Sequence, residues 1–186
     1  ATILSYWQAC DRVSHRLLRL LAQIMGVDQH SFLSLFESPL TNMTLLHYPS
    51  MPAKPTEEAG YGIHPHKDTD ALTLLFPDPV GGLWLRPREQ DHWLEVAAES
   101  DTLIVNIGDL LELWSGGYFV STPHKVVNQS GQERYSFPFF TVPRHDVTVA
   151  PLVTPQPGFD RTPVPVGPVS REVWRTNWPD TQPSNQ

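Results

Sequence analysis

The sequence is poor in cysteine, in long apolar runs and in positive charge, and each shortage excludes a class of function. Cys10 is the single cysteine among 186 residues, so the chain can form no internal disulfide, and a reducing cytoplasm is the expected location. No apolar run approaches the roughly 20 residues that a membrane-spanning helix needs. The net charge is -7, which argues against nucleic acid as the main partner because phosphate binding requires a basic surface.

Glycine is also scarce relative to proline, with 11 glycines against 19 prolines. This ratio disfavours an all-helical protein and is typical of short strands joined by irregular loops. A length of 186 residues fits one domain that buries a core of its own.

The secondary structure that the sequence predicts is one long helix followed by many short strands. Apolar residues recur every three or four positions over 3–25, which indicates an amphipathic helix that buries Cys10 and ends at Gly26. Ser31 is the expected cap of a second helical piece. The remaining predicted elements are helical pieces at 31–36 and 108–114, strands at 43–48, 71–76, 83–86, 92–96, 103–107, 125–128 and 135–142, a loop at 49–61 and an irregular tail from residue 143.

This order of elements predicts a mainly β fold with flanking helices. We expect a double-stranded β-helix, which is a jelly-roll barrel, preceded by the long N-terminal helix. The mouth of such a barrel is a natural place for a buried cofactor.

The most informative residues are His66 and Asp68, which are two positions apart, and the distant His124. Two histidines and one carboxylate can hold an iron ion on one face and leave the opposite face open for substrates and oxygen. Alternate residues of a strand share a face, so His66 and Asp68 can point into a barrel together. His64 and Asp70 have the same parity, however. From spacing alone, His64 with His66 could be the ligand pair, and zinc could be the metal.

Arg134 lies ten residues after His124, and Ser136 follows two positions later. A guanidinium can hold a small dicarboxylate through two parallel hydrogen bonds, and a serine on the same strand face can add a third. The alternative is an ordinary surface salt bridge between Arg134 and Glu133.

The order of several motifs resembles that of the isopenicillin N synthase-like 2-oxoglutarate/iron(II) oxygenases, over roughly half of the chain. These motifs are GIHPHKD at 62–68, LTLL at 72–75, VGGL at 80–83, NIGD at 106–109, STPHKV at 121–126 and ERYS at 133–136. The resemblance implies that His66, Asp68 and His124 are the metal ligands and the catalytic centre. It also implies that Arg134, Ser136 and Tyr48 bind the distal carboxylate of 2-oxoglutarate.

The resemblance further implies an oxidoreductase that uses Fe(II), 2-oxoglutarate and dioxygen. It would couple decarboxylation of 2-oxoglutarate to hydroxylation, desaturation or cyclisation of a small organic substrate, with no obligate protein partner. Two alternatives remain open: a 2-oxoglutarate-independent Fe(II) oxidase or cyclase of the same family, and a non-catalytic metal-binding jelly-roll module.

The resemblance also implies a single catalytic domain over residues 1–186. Its expected parts are helical support in 1–40, a jelly-roll core with the metal site in 41–145 and a proline-rich extension in 146–186. Lys67 departs from the family, which often has threonine at that position. The sequence GGYF at 116–119 also departs from the family's pattern. The family usually carries a further N-terminal segment, so we expect that this sequence is a portion of a longer protein.

Overall fold

The computed structural model describes residues 2–50, 61–128 and 130–177. The predicted loop at 49–61 and the end of the predicted tail therefore lie largely outside the described residues. The helices are α1 (Thr2–Met25), α2 (Gln29–Ser34), α3 (Asp109–Trp114) and α4 (Val166–Asn177). The strands are β1 (Asn42–Met43), β2 (Leu46–Tyr48), β3 (Tyr61–His66), β4 (Leu72–Leu75), β5 (Leu83–Leu85), β6 (Leu94–Glu95), β7 (Ile104–Ile107), β8 (His124–Val127), β9 (Arg134–Ser136), β10 (Phe139–Thr141), β11 (Thr148–Val149) and β12 (Val164–Pro165).

Two four-stranded antiparallel sheets form the body of the protein. One sheet has the strand order β1-β10-β4-β7, and the other has the order β3-β8-β5-β6. The pairs β2–β9 and β11–β12 are separate antiparallel ribbons. Strands that are distant in sequence are thus neighbours in space, as β3 and β8 are, and this topology can bring distant side chains together.

The long N-terminal helix is present as predicted, because its apolar side chains fall on one face. The buried residues of α1 recur every four positions: Cys10, Ser14, Leu18 and Ala22. This face packs on β10 and β4 of the first sheet, where the ring of Trp7 meets that of Phe139 edge-on at 4.9 Å. Cys10 is 4% exposed, which confirms that it is a core residue.

The core continues between the first sheet and the short helices. Trp114 at the end of α3 is 1% exposed, and Phe32 packs edge-on against it at 5.0 Å. Gly108, at the start of α3, has no room for a side chain, because a Cβ atom there would overlap a carboxylate oxygen of Asp70. The end of β7 therefore rests directly against the segment that carries Asp68.

Four sequence predictions about local structure are wrong in detail. The predicted strand at 43–48 is two strands, β1 and β2, which pair with different partners, and the predicted strand at 135–142 is likewise two strands, β9 and β10. The cap of α2 is Asp28 instead of Ser31, since the Asp28 carboxylate accepts a hydrogen bond from the backbone N–H of Ser31 at 2.7 Å. The predicted irregular tail contains α4, because Pro168 lies in the first turn of that helix, where a missing N–H has no helical partner to lose.

Among these described residues, no helix is both long enough and apolar enough to cross a membrane.

Candidate metal centre

The three predicted ligands lie together. Donor atoms of His66, Asp68 and His124 are all within 4.8 Å of one another. The Oδ1 atom of Asp68 is 3.6 Å from Nε2 of His66 and 3.5 Å from Nε2 of His124. The register of the second sheet explains the convergence, since His66 at the end of β3 pairs with His124 at the start of β8.

Both imidazole rings turn Nε2 toward this centre. Nδ1 of His66 is 2.8 Å from the carbonyl oxygen of His64, and Nδ1 of His124 is 3.2 Å from that of Thr122. A proton on each Nδ1 can be donated to these carbonyls, which leaves both Nε2 lone pairs available to a metal. His64 thus contributes a backbone carbonyl to the site, while its ring packs 5.0 Å from the ring of Tyr61.

The carboxylate at this centre is ionised. Asp68 is 6% exposed, and burial alone would raise its pKa. The facing imidazoles of His124 and His66 and the hydrogen bond from Thr73 outweigh that desolvation and hold the pKa of Asp68 well below its usual range. Burial lowers the pKa of His124, but the facing Asp68 carboxylate and the Thr122 carbonyl together raise it by more. The site thus attracts positive charge, which a metal cation can supply in place of a proton.

Asp70, the other candidate ligand, lies outside this group. It is 1% exposed, and its pKa is raised well above the usual value, first by burial and then by the charge of Asp68. The Thr73 hydroxyl oxygen is 2.6 Å from Asp68 Oδ2 and 2.8 Å from Asp70 Oδ2. A hydroxyl has one proton, so Thr73 can donate to only one of the two carboxylates at a time, and the raised pKa of Asp70 favours the protonated form that can donate to Thr73.

The segment that carries Asp68 is fixed by the start of α3. The backbone N–H of Asp109 donates to the carbonyl of Asp68 at 2.8 Å, and that of Leu110 donates to the carbonyl of Asp70 at 2.9 Å. These bonds satisfy N–H groups of the first helical turn and hold the backbone of Asp68 in place.

Lys67, between the two ligands, belongs to a charge cluster that sequence reasoning missed. Its ammonium is 3.4 Å from the carboxylate of Glu112, whose side chain is 4% exposed. The same carboxylate contacts Arg88 at 2.6 Å and Arg161 at 3.1 Å. Glu112 therefore ties the metal-binding segment to two others that are remote in sequence. The sequence around Glu112 does not predict this cluster, because the three cations that contact Glu112 come from separate loops.

Arg134 is an interior residue, and the predicted alternative of a surface salt bridge is wrong. It is 2% exposed, its Nε–H donates to the carbonyl of Gly81 at 2.7 Å, and its guanidinium lies 4.9 Å from the centre of the Tyr48 ring. Glu133 instead contacts the Tyr135 hydroxyl, at 2.9 Å. Within the described ranges, neither Nη1 of Arg134 nor the hydroxyl of Tyr48 has a hydrogen-bond partner.

The β2–β9 ribbon positions these groups. Tyr48 pairs with Arg134 and Leu46 pairs with Ser136, so the two strands present the polar groups side by side. Ser136 is 5% exposed. Burial raises the pKa of Tyr48 more than the neighbouring Arg134 lowers it, so the phenol stays protonated and can donate a hydrogen bond.

All six predicted site residues line one cavity of about 1030 Å³. Much of the remaining wall is apolar, with contributions from Leu46, Ile63, Leu75, Leu83, Val126 and Phe140. His64 is also a lining residue. Val173 and Trp174 of α4 line the cavity as well. They could not be found from the sequence, because their segment was predicted to be irregular.

Comparison with known proteins gives one consistent family. A sequence model of the 2OG-Fe(II) oxygenase superfamily matches residues 40–143. The chain is 36% identical over 139 residues to the 2-oxoglutarate-Fe(II) type oxidoreductase hxnY of Emericella nidulans, covering 75% of this chain and 40% of that protein. It is 34% identical over 147 residues to a bi-functional coumaroyl CoA and feruloyl CoA ortho-hydroxylase of Ipomoea batatas, covering 79% and 40%.

Solved structures agree on the fold. A full-length Neurospora crassa protein, in complex with alpha-KG and thymine, superposes with a TM-score of 0.82 at 24% identity, covering 95% of this chain and 56% of that one. JOX2 in complex with 2OG, Fe and JA gives a TM-score of 0.73 at 32% identity, covering 82% and 45%. The chain spans about two fifths of the length of the curated relatives that it matches.

Proposed function

The chain belongs to the 2OG-Fe(II) oxygenase superfamily, and we propose that it is the catalytic portion of an Fe(II)/2-oxoglutarate-dependent oxygenase that acts on a small organic substrate. One observation carries the proposal. The group formed by His66, Asp68 and His124 and the buried guanidinium of Arg134 line the same cavity. That pairing fits a ligand with a 2-oxo acid at one end and a second carboxylate at the other.

The donor set fits ferrous iron. Two neutral imidazoles and one carboxylate are the ligand combination of non-haem Fe(II) oxygenases, and they leave positions open for other ligands. In this chain the ligands would be Nε2 of His66, Nε2 of His124 and Oδ1 of Asp68. The iron, when bound, would supply the activation of dioxygen that oxidation of an unactivated C–H bond requires.

The cosubstrate site is supported by unsatisfied polar groups. A buried N–H without a partner costs free energy, and a bound carboxylate would remove that cost at Nη1 of Arg134 and at the Tyr48 hydroxyl. Ser136 adds a third donor on the same strand as Arg134. The guanidinium supplies the charge, and the Gly81 carbonyl holds it in orientation.

The walls of the cavity suit a small organic molecule. Apolar side chains line much of it, so the protein can exclude water from the reacting atoms. The relative named for coumaroyl CoA and feruloyl CoA supports an organic substrate, and so does a Neurospora crassa structure, 26% identical to this chain, that contains 5-formyluracil. Hydroxylation, desaturation and ring closure are all within the proposed chemistry.

Three further features belong to the proposal. The two four-stranded sheets would be the halves of a double-stranded β-helix, with its core in residues 41–145 of a single catalytic domain. Residues 1–40 would support that core, and residues 146–186 would extend it. The single cysteine favours a cytoplasmic location.

Turnover of 2-oxoglutarate tests the proposal. The chain is incubated in air with Fe(II), ascorbate and 2-oxoglutarate labelled at C1, and released CO₂ and succinate are measured. We expect decarboxylation in the wild type and in His92→Ala, which alters an exposed histidine outside the cavity lining, but none in His124→Ala. Iron binding without any binding of the oxo acid would replace the proposal by the cosubstrate-independent oxidase.

A further inference from the structure

The carboxylate of Asp68 has two oxygens in different surroundings, and this difference carries an inference that rests on the proposed function. Oδ1 faces Nε2 of both histidines, at 3.6 Å and 3.5 Å. Oδ2 accepts a hydrogen bond from the Thr73 hydroxyl at 2.6 Å and another from the side-chain amide of Asn106 at 2.8 Å. We infer that Thr73 and Asn106 are positioning residues that restrict Asp68 to binding the metal through Oδ1 alone.

The register of the first sheet places both donors next to Oδ2 of Asp68. Thr73 on β4 and Asn106 on β7 are direct cross-strand partners, so their side chains share one face of the first sheet. Asp68 precedes β4 and meets that face. Thr73 is 5% exposed and is held from its other side by Asp70 at 2.8 Å. Gly108 in turn leaves no free space beside Asp70. The donors are therefore fixed before any metal binds.

Two short hydrogen bonds occupy the lone pairs of Oδ2. A carboxylate that bound a metal through both oxygens would have to give up at least one of these bonds. The donor left behind would then be buried without a partner, which is unfavourable. Thr73 and Asn106 thus act on the metal indirectly, by removing the second oxygen of Asp68 from the set of available ligands.

The consequence for the proposed reaction is one additional open position. In an octahedral site, three single-atom protein ligands leave about three positions for other ligands, whereas a two-oxygen carboxylate leaves about two. A chelating 2-oxo acid requires two positions and dioxygen requires one. Without Thr73 and Asn106, the carboxylate can compete for the position that dioxygen needs.

The experiment counts water on a bound metal and needs no turnover. Mn²⁺ alone is added to the 186-residue chain, and inner-sphere water is counted from the magnetic-field dependence of water-proton relaxation. We expect about three waters in the wild type and about two in the double variant Thr73→Val/Asn106→Leu, a loss of roughly a third of the inner-sphere relaxivity. The Kd for Mn²⁺ should stay unchanged or fall in the double variant, because the second carboxylate oxygen replaces a water.

Two control variants keep the test specific. Thr73→Ser retains the hydroxyl and should restore the wild-type hydration. Thr141→Val removes the hydroxyl of another buried threonine of the first sheet, which pairs with Leu72, and should change nothing. If the double variant does not fold, the single variants Thr73→Val and Asn106→Leu are measured in the same way, and the same loss of water is expected.

The outcomes separate this inference from the proposed function. Weaker Mn²⁺ binding with unchanged hydration would mean that the two residues serve only the fold, and it would overturn the inference. Unchanged hydration with unchanged affinity would overturn it too. Three waters in the wild type and two in the variant, without any 2-oxoglutarate turnover, would contradict the proposed function alone. A folded wild type that binds no Mn²⁺ would contradict both.

Discussion

Replacing Arg134 by methionine should separate the affinity for 2-oxoglutarate from the stability of the fold. The side chain is 2% exposed, its Nη1 has no partner within the described part of the chain, and its Nε–H is bonded to the Gly81 carbonyl. Methionine is of similar length and is uncharged. The substitution removes the cation proposed to bind the distal carboxylate and fills much of the same space.

The two effects differ in size and direction. Removing one partner of a buried, hydrogen-bonded charge pair costs about 2–5 kcal/mol. With a tenfold change for about 1.4 kcal/mol, the Kd for 2-oxoglutarate should rise by about 30-fold to about 4,000-fold. In the absence of ligand, replacing a buried charge by an apolar group is often neutral or stabilising. The lost bond to Gly81 costs about 1 kcal/mol, so the thermal midpoint should fall by about 4 °C at most.

Isothermal titration of 2-oxoglutarate into the anaerobic Fe(II)-loaded protein measures the first effect, and thermal unfolding of the metal-free protein measures the second. Arg144→Met is the matched control, because Arg144 is a partly exposed arginine whose guanidinium pairs with Asp146 at 2.9 Å. A Kd for Arg134→Met within about threefold of wild type would refute the assignment, since about 0.7 kcal/mol is too little for a buried charge pair.

Three further substitutions test the supporting structure. Gly108→Ala should destabilise the protein by about 1–3 kcal/mol in urea unfolding and should weaken metal binding, because the new Cβ would meet the carboxylate of Asp70. Wild-type stability together with wild-type metal affinity would contradict the proposed crowding. Glu112→Gln should cost about 1–3 kcal/mol in urea unfolding, because Glu112 is buried whereas its three cations are each a third to a half exposed. A loss under about 0.5 kcal/mol would show that solvent screens the cluster. Asp28→Ala should cost about 0.5–2 kcal/mol in the same assay, since it removes the hydrogen bond from the Ser31 N–H. Asp28→Asn should cost much less, and equal losses in the two variants would exclude a capping effect.

The family and the long helix could be predicted because their signals are local. The motifs around His66 and His124 lie in continuous segments, and the family that they predict is confirmed by the match over residues 40–143. The helix Thr2–Met25 follows from an apolar spacing that the chain carries over six turns. Neither inference needs the strand order.

Features that depend on strand register could not be predicted. The contact of Asn106 with Asp68 exists because β7 pairs with β4 in one register, and a shift of one residue would turn the amide to the other face. The convergence of Lys67, Arg88 and Arg161 on one carboxylate likewise joins three segments that no sequence pattern connects. Proline content obscured α4, because a proline in the first turn is compatible with a helix.

The proposed centre is tested most directly by an anaerobic titration of the Fe(II)-loaded chain with 2-oxoglutarate, followed by visible absorption. Chelation of the oxo acid to iron should produce a weak charge-transfer band that saturates with one equivalent. The band should be absent in His124→Ala and should require much more 2-oxoglutarate in Arg134→Met. A folded, iron-loaded wild type that binds no 2-oxoglutarate and develops no band would contradict the proposed oxygenase.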